Sequence, residues 1–95
     1  MDDGMLVCRR VIYRGRVQGV GFRAQVQNLA RREPGVCGWV RNLPTGEVEM
    51  MVEAREDALV RFLAAIEQRM SGYIADREMF HENSVEKLDG FTIRG

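Results

Sequence analysis

Neither sign of charge dominates this sequence: fourteen Lys and Arg residues balance fourteen Asp and Glu. No long-range field is left to attract nucleic acid or an anionic membrane, although a local basic site is still allowed. Cysteine is scarce too, present only at Cys8 and Cys37 and without CxxC spacing. Two thiols are too few for a disulfide framework, and the single histidine, His81, completes no familiar zinc spacing with them. Free thiols point to a reducing compartment. No run approaches the roughly 20 apolar residues of a membrane span. The opening "MDDGMLVC" also lacks the basic start and long apolar run of a signal peptide. The expectation is a cytoplasmic protein with no membrane contact.

What the sequence does have is enough apolar material, 45% of its 95 residues, for one domain over residues 1–95 that buries a core without staples. "LVCRRVIY", Leu6 to Tyr13, sets Val7, Val11 and Tyr13 on one face of a half-buried strand that Arg9 interrupts. From Phe22 the pattern changes to a helical stripe of Phe22, Val26, Leu29 and Ala30, which "EPG" at Glu33 to Gly35 stops. "VCGWVRNL" and "EVEMMVEA" flank the tight turn "PTG" and read as a hairpin. Leu59, Phe62, Leu63, Ile66 and Met70 mark a second amphipathic helix, with Glu56 and Asp57 well placed in its first turn. "YIADREMFHEN" is a weak, polar strand candidate, and "GFTIRG" is a short alternating strand.

This order fits an α+β fold, a ferredoxin-like α/β sandwich of split βαβ type: an antiparallel sheet of four to five strands with two helices on one face. In it the first and second strands run parallel with the third between them. Cys8 and Cys37 then lie about 10 Å apart, two strand spacings, which is beyond disulfide reach.

The densest local signal is "RGRVQGVGFR", Arg14 to Arg23, at the passage from strand to helix. Its glycines, Gly15, Gly19 and Gly21, match neither the GxGxxG dinucleotide fingerprint nor the GxxxxGK[ST] phosphate loop. A glycine-bearing turn that feeds a helix N-terminus can still cradle an anion with its free amides. Arg23 stands at that helix start, where a cation opposes the helix dipole unless an anion sits between them. Its fork could hold two phosphate oxygens; the alternative is a solvated arginine beside a tight turn. Arg14 and Arg16 read as strand-end charges. Asn42 ends the β-prone run "GWVRN" and is either a turn residue or a carboxamide able to hold water in line with phosphorus. The split βαβ arrangement brings it near the glycine loop.

"GRVQGVGFR" and "GWVRNLPTGEV" together resemble the two signatures of the acylphosphatases, small enzymes that hydrolyse carboxyl-phosphate bonds, and the terminal "GFTIR" is similar to the family's ending. The resemblance spans essentially the whole chain. It implies a ferredoxin-like fold with no metal and no organic cofactor, a small-molecule acyl phosphate as substrate and inorganic phosphate as a product. Carried over by position, Arg23 binds the phosphoryl group with the amides of Gln18, Gly19, Val20, Gly21 and Phe22, and Asn42 orients the attacking water. Neither Arg23 nor Asn42 is a plausible general base at neutral pH, so the resemblance implies a substrate-assisted attack in which a phosphate oxygen takes the water proton. The family's second signature ends in a glycine where this chain has Ala54, a departure expected to affect the turn into the second helix. "REPGVCG" and residues 73–89 also depart, leaving the fourth strand's register open.

Two other classes compete. A non-catalytic anion- or RNA-binding module could share the fold, but an RNA module needs aromatics on basic central strands, and "EVEMMVEA" puts acids there. A phosphate-handling part of a larger carbamoyl-transfer enzyme is the other; the chain's own start and finish favour a free-standing protein. A monomer suits the size. The motifs grip a phosphoryl group common to all acyl phosphates, so they do not name the acyl part.

Overall fold

The computed structural model describes residues 5–83 and 87–95. Residues 1–4 and 84–86, which belong to the expected 1–95 domain and in part to the uncertain 73–89 stretch, lie outside the described residues. The elements follow in the order β1 (Leu6–Gly15), α1 (Phe22–Arg31), β2 (Cys37–Asn42), β3 (Val48–Arg55), α2 (Glu56–Arg69), β4 (Ile74–Glu82) and β5 (Phe91–Arg94). They build one sheet in the order β4-β1-β3-β2-β5.

Alternation decides which side of the sheet is dry. Val11 and Tyr13 of β1, Val40 of β2 and Val48, Met50 and Val52 of β3 alternate onto one face of the sheet, and all are fully buried beneath the two helices. Phe22, Val26, Leu29 and Ala30 of α1 and Leu59, Phe62, Leu63 and Ile66 of α2 complete this core. Fully burying a side chain of this kind contributes about 1.5–3 kcal/mol, so the core dominates the stability of the sandwich. Asp57 and Glu56 open α2, and the amide of Ala58 donates to Asp57 Oδ1 at 2.9 Å. Ala54 is fully buried within β3, with its Cα opposite Val7 of β1, and α2 starts directly after Arg55. The departure from the family glycine therefore falls on a core strand and not on a turn.

The expectation of a purely antiparallel sheet needs correction. β1 pairs antiparallel with β3 and β4, and β2 with β3, but β5 runs parallel to β2, so the sheet is mixed. The register explains why. Glu82, Cys8, Glu53 and Cys37 form one row across four strands, and Phe91 pairs with Gly38 one residue along. β5 thus starts at the end of the sheet where β4 stops, on the opposite edge, and can only run back alongside β2. The same row keeps Cys8 and Cys37 on either side of Glu53, and both are free thiols.

The sheet face away from the helices is polar but closed over by its own side chains. Arg10 bridges Glu49 and Glu82 and lies 4.4 Å over the Phe80 ring. Arg41 Nε donates to Glu49 Oε1 at 2.6 Å, and Arg41 and Arg94 lie over Trp39 at 5.3 and 4.6 Å. Glu49 is consequently 7% exposed yet paired twice.

Candidate active site

The loop between β1 and α1 is shaped by two left-handed glycines. Gly19 and Gly21 both have φ near 78°, a region that side-chain-bearing residues enter with strain. A Cβ at either position would meet nothing within 4 Å, so backbone conformation and not lack of space requires glycine there. Gly21 caps α1 with no side-chain hydrogen bond, and the first turn carries no acidic residue. Among the described residues, no backbone N–H from Val17 to Ala24 donates to an acceptor; the ladder resumes with Gln25 N to Gly21 O at 3.0 Å. A run of free amides at a helix N-terminus is a field waiting for negative charge.

Arg23 lies in the first turn of α1, half-buried, and forms no ion pair among the described residues. Asn42 is the last residue of β2 and pairs in register with Val48. Because it falls two positions after the fully buried Val40, its side chain is on the helix-covered face, at the end of the sheet where α1 begins. Its Oδ1 is buried and has no hydrogen-bond partner among the described residues. Such an atom costs about 1–3 kcal/mol unless a donor reaches it.

Arg23 and Asn42 line one cavity of about 180 Å³, together with Gly19, Gly21 and Phe22 of the loop. Val17, Ala24 and Ile93 complete its wall, and Arg23 is the one charged residue in the lining. Two larger cavities have different chemistry. The one of about 520 Å³ lies at the far end of the sheet beside Cys8, where Glu53 and Glu82 share the wall with Arg9 and His81, and burial together with Glu53 and Glu82 pushes the Cys8 thiol up. The one of about 410 Å³ lies between the end of α2 and β4, where Arg77 is already paired with Glu67 and Asp76 adds a further carboxylate. Size and chemistry disagree here, and chemistry selects the small cavity.

Of the residues singled out in the sequence, Gly19, Gly21, Phe22, Arg23 and Asn42 are brought together. Gln18 and Val20 are not part of the cavity wall. Val20 is 38% exposed, whereas the Gln18 carboxamide donates to the carbonyls of Leu43 and Glu47, both at 2.8 Å. Arg14 is ion-paired with Glu47, Asp76 and Glu78, and Arg16 lies 5.5 Å over the Tyr73 ring. Neither reaches the cavity. Ile93 was missed by sequence reasoning, although its position two after the buried Phe91 on β5 is the alternation that places it. Glu47, beside the site, has its carboxyl held below the usual range by the Thr45 hydroxyl and then by Arg14. No cluster of three or more His, Cys, Asp or Glu side chains among the described residues is placed to hold a metal ion.

Residues 9–93 match the family model described as acylphosphatase. An acylphosphatase of Methanospirillum hungatei JF-1 is 42% identical over 85 residues, 88% of this chain and 92% of the relative. Among solved structures, the acylphosphatase from Bacillus subtilis superposes with a TM-score of 0.82 at 35% identity, covering 96% of this chain and all of that one. Full-length HypF, in its phosphate- and nucleotide-bound form, matches with a TM-score of 0.78 at 25% identity, over 96% of this chain but 12% of its own.

Proposed function

This chain belongs to the acylphosphatase family and is a hydrolase acting on acyl phosphates, and from that premise we propose that Arg23 holds the phosphoryl group while Asn42 holds the water that attacks it. The observation that carries this reading is the convergence on one small cavity of two groups without a partner among the described residues, the Arg23 guanidinium and the buried Asn42 Oδ1.

The planar guanidinium offers parallel N–H donors to two phosphoryl oxygens, and the free amides around Gly19 to Arg23 take the remaining negative charge. These donors are fixed before substrate arrives, so they stabilise charge as it redistributes without reorganising. Water donates one hydrogen to Asn42 Oδ1, which leaves its lone pair facing phosphorus. As the new P–O bond forms, the bond from phosphorus to the carboxyl oxygen breaks, and its electron pair leaves on the carboxylate. The water proton passes to a phosphoryl oxygen, because no Asp, Glu or His lines the cavity to receive it. A carboxylate is a good leaving group, so no protein acid is required. Positioning and electrostatics then supply the catalysis, as expected for phosphoryl transfer.

The reading takes the protein as one cytoplasmic, monomeric domain acting on a small-molecule acyl phosphate, with no nucleic acid, membrane or cofactor. Support comes from the outer sheet face, where Arg10, Arg14 and Arg41 are each paired with carboxylates and offer little to a polyanion. Purified protein treated with a metal chelator should hydrolyse benzoyl phosphate well above the spontaneous rate. A rate equal to the spontaneous one would defeat the proposal.

A further inference from the structure

The two halves of the site come from segments far apart in the chain: the free amides and Arg23 from the β1–α1 loop, and Asn42 from the end of β2. In-line attack needs a fixed distance between them, and neither segment sets that distance alone. Among the described residues, one side chain spans the gap with hydrogen bonds. Gln18 Nε2 donates to Leu43 O and to Glu47 O, each at 2.8 Å. Those two carbonyls close the hairpin turn immediately after Asn42. Leu43 N donates to Glu47 O at 2.8 Å, and Gly46 N to Leu43 O at 3.1 Å.

Both hydrogens of the Gln18 amide are therefore committed to the base of the turn that carries Asn42, while the backbone of the same residue leads into Gly19. The turn is held from its other side as well, by Arg14 and Thr45 on the Glu47 carboxylate. Among the described residues, however, Gln18 is the one side chain whose hydrogen bonds tie it to the loop that ends at Arg23. A shorter side chain cannot reach both carbonyls, and a carboxylate cannot donate to either at neutral pH.

We propose that Gln18 is a positioning residue for the hydrolysis: its carboxamide is the strut that fixes Asn42, and the water Asn42 holds, relative to the phosphoryl cradle. The proposal rests on the roles given above to Arg23 and Asn42. Misplacing reacting atoms by about 1 Å can cost on the order of 100-fold in rate. Gln18→Leu should accordingly lower kcat about 10- to 100-fold while the inhibition constant of inorganic phosphate moves less than about threefold.

The test is a double-mutant cycle on benzoyl phosphate hydrolysis, with Gln18→Leu, Asn42→Ala and the pair, alongside phosphate inhibition and thermal melting. If the strut acts through Asn42, Gln18→Leu lowers kcat in the parent but adds little once Asn42 is alanine. The same loss in both backgrounds would overturn the proposal, as would a loss seen in phosphate binding and not in turnover. Failure of the underlying roles reads differently, because Asn42→Ala would then keep its turnover. Should the leucine variant not fold, Gln18→Asn keeps a carboxamide too short to span both carbonyls and is run through the same cycle.

Discussion

Arginine is used in two opposite ways at two places in this molecule. On the outer sheet face Arg10, Arg14 and Arg41 each meet a carboxylate, and Arg10 and Arg41 also cover an aromatic ring. At the start of α1, Arg23 stands in a helix turn that lacks any acid, beside amides that donate to nothing among the described residues. The first arrangement is complete in the folded chain and has no charge left to offer. The second leaves positive charge and free donors on the wall of a cavity, which is unfavourable until an anion arrives. The same side chain thus closes a surface in one place and opens a binding site in the other, and what differs is the presence of a carboxylate.

The strongest way to sharpen this contrast is a conservative exchange at both places. Arg23→Lys keeps the charge but loses the fork, and should reduce kcat/KM for benzoyl phosphate about 100-fold or more. Arg41→Lys, with its Glu49 partner retained, should stay within about twofold. Equal effects in the two variants would erase the distinction.

A second experiment breaks the contrast by supplying the missing acid. Ala24 is exposed in the first turn of α1 and lines the cavity. Ala24→Asp should pair with the helix dipole and with Arg23, raising stability by about 0.3–1 kcal/mol. Phosphate inhibition and turnover should both weaken about tenfold as the carboxylate occupies the cradle. A variant that is both active and unchanged in melting temperature would show that the site tolerates negative charge, contrary to its proposed role.

The smallest effect belongs to Glu47, which joins the two regions. Its carboxyl is held below the ordinary value of 4.5 by Thr45 and Arg14. A depressed value in the folded state means stability that is present above the unfolded value and lost as pH falls through the folded one. Glu47→Gln should therefore melt slightly lower than the parent at neutral pH, and the two melting curves should converge in acid below that value. A gap that persists in acid would assign the effect to something other than charge.

The contrast also tells which parts of the molecule a sequence exposes. The glycine loop was legible because φ near 78° selects glycine, and the helix behind it because Phe22, Val26, Leu29 and Ala30 are all buried on one stripe. Asn42 stood out as a poor strand former in a β-prone run, and its place beside the loop followed from strand order. β4 was faint for a physical reason: it is an edge strand with five consecutive exposed residues from Ala75 to Met79, so no alternation marks it. The parallel direction of β5 was hidden because it is set by where β4 ends, which no local pattern records. Gln18 was identified through its backbone, whereas the reach of its side chain to Leu43 and Glu47 depends on two loops meeting in space.

The central claim is that binding and attack are divided between Arg23 and Asn42, and the most direct test measures phosphate affinity and turnover on the same preparations of Arg23→Lys and Asn42→Ala. The account predicts that Arg23→Lys loses both, while Asn42→Ala loses turnover by about 100-fold or more and keeps phosphate affinity within about threefold. Near-parent turnover in Asn42→Ala, or undiminished phosphate affinity in Arg23→Lys, would contradict it.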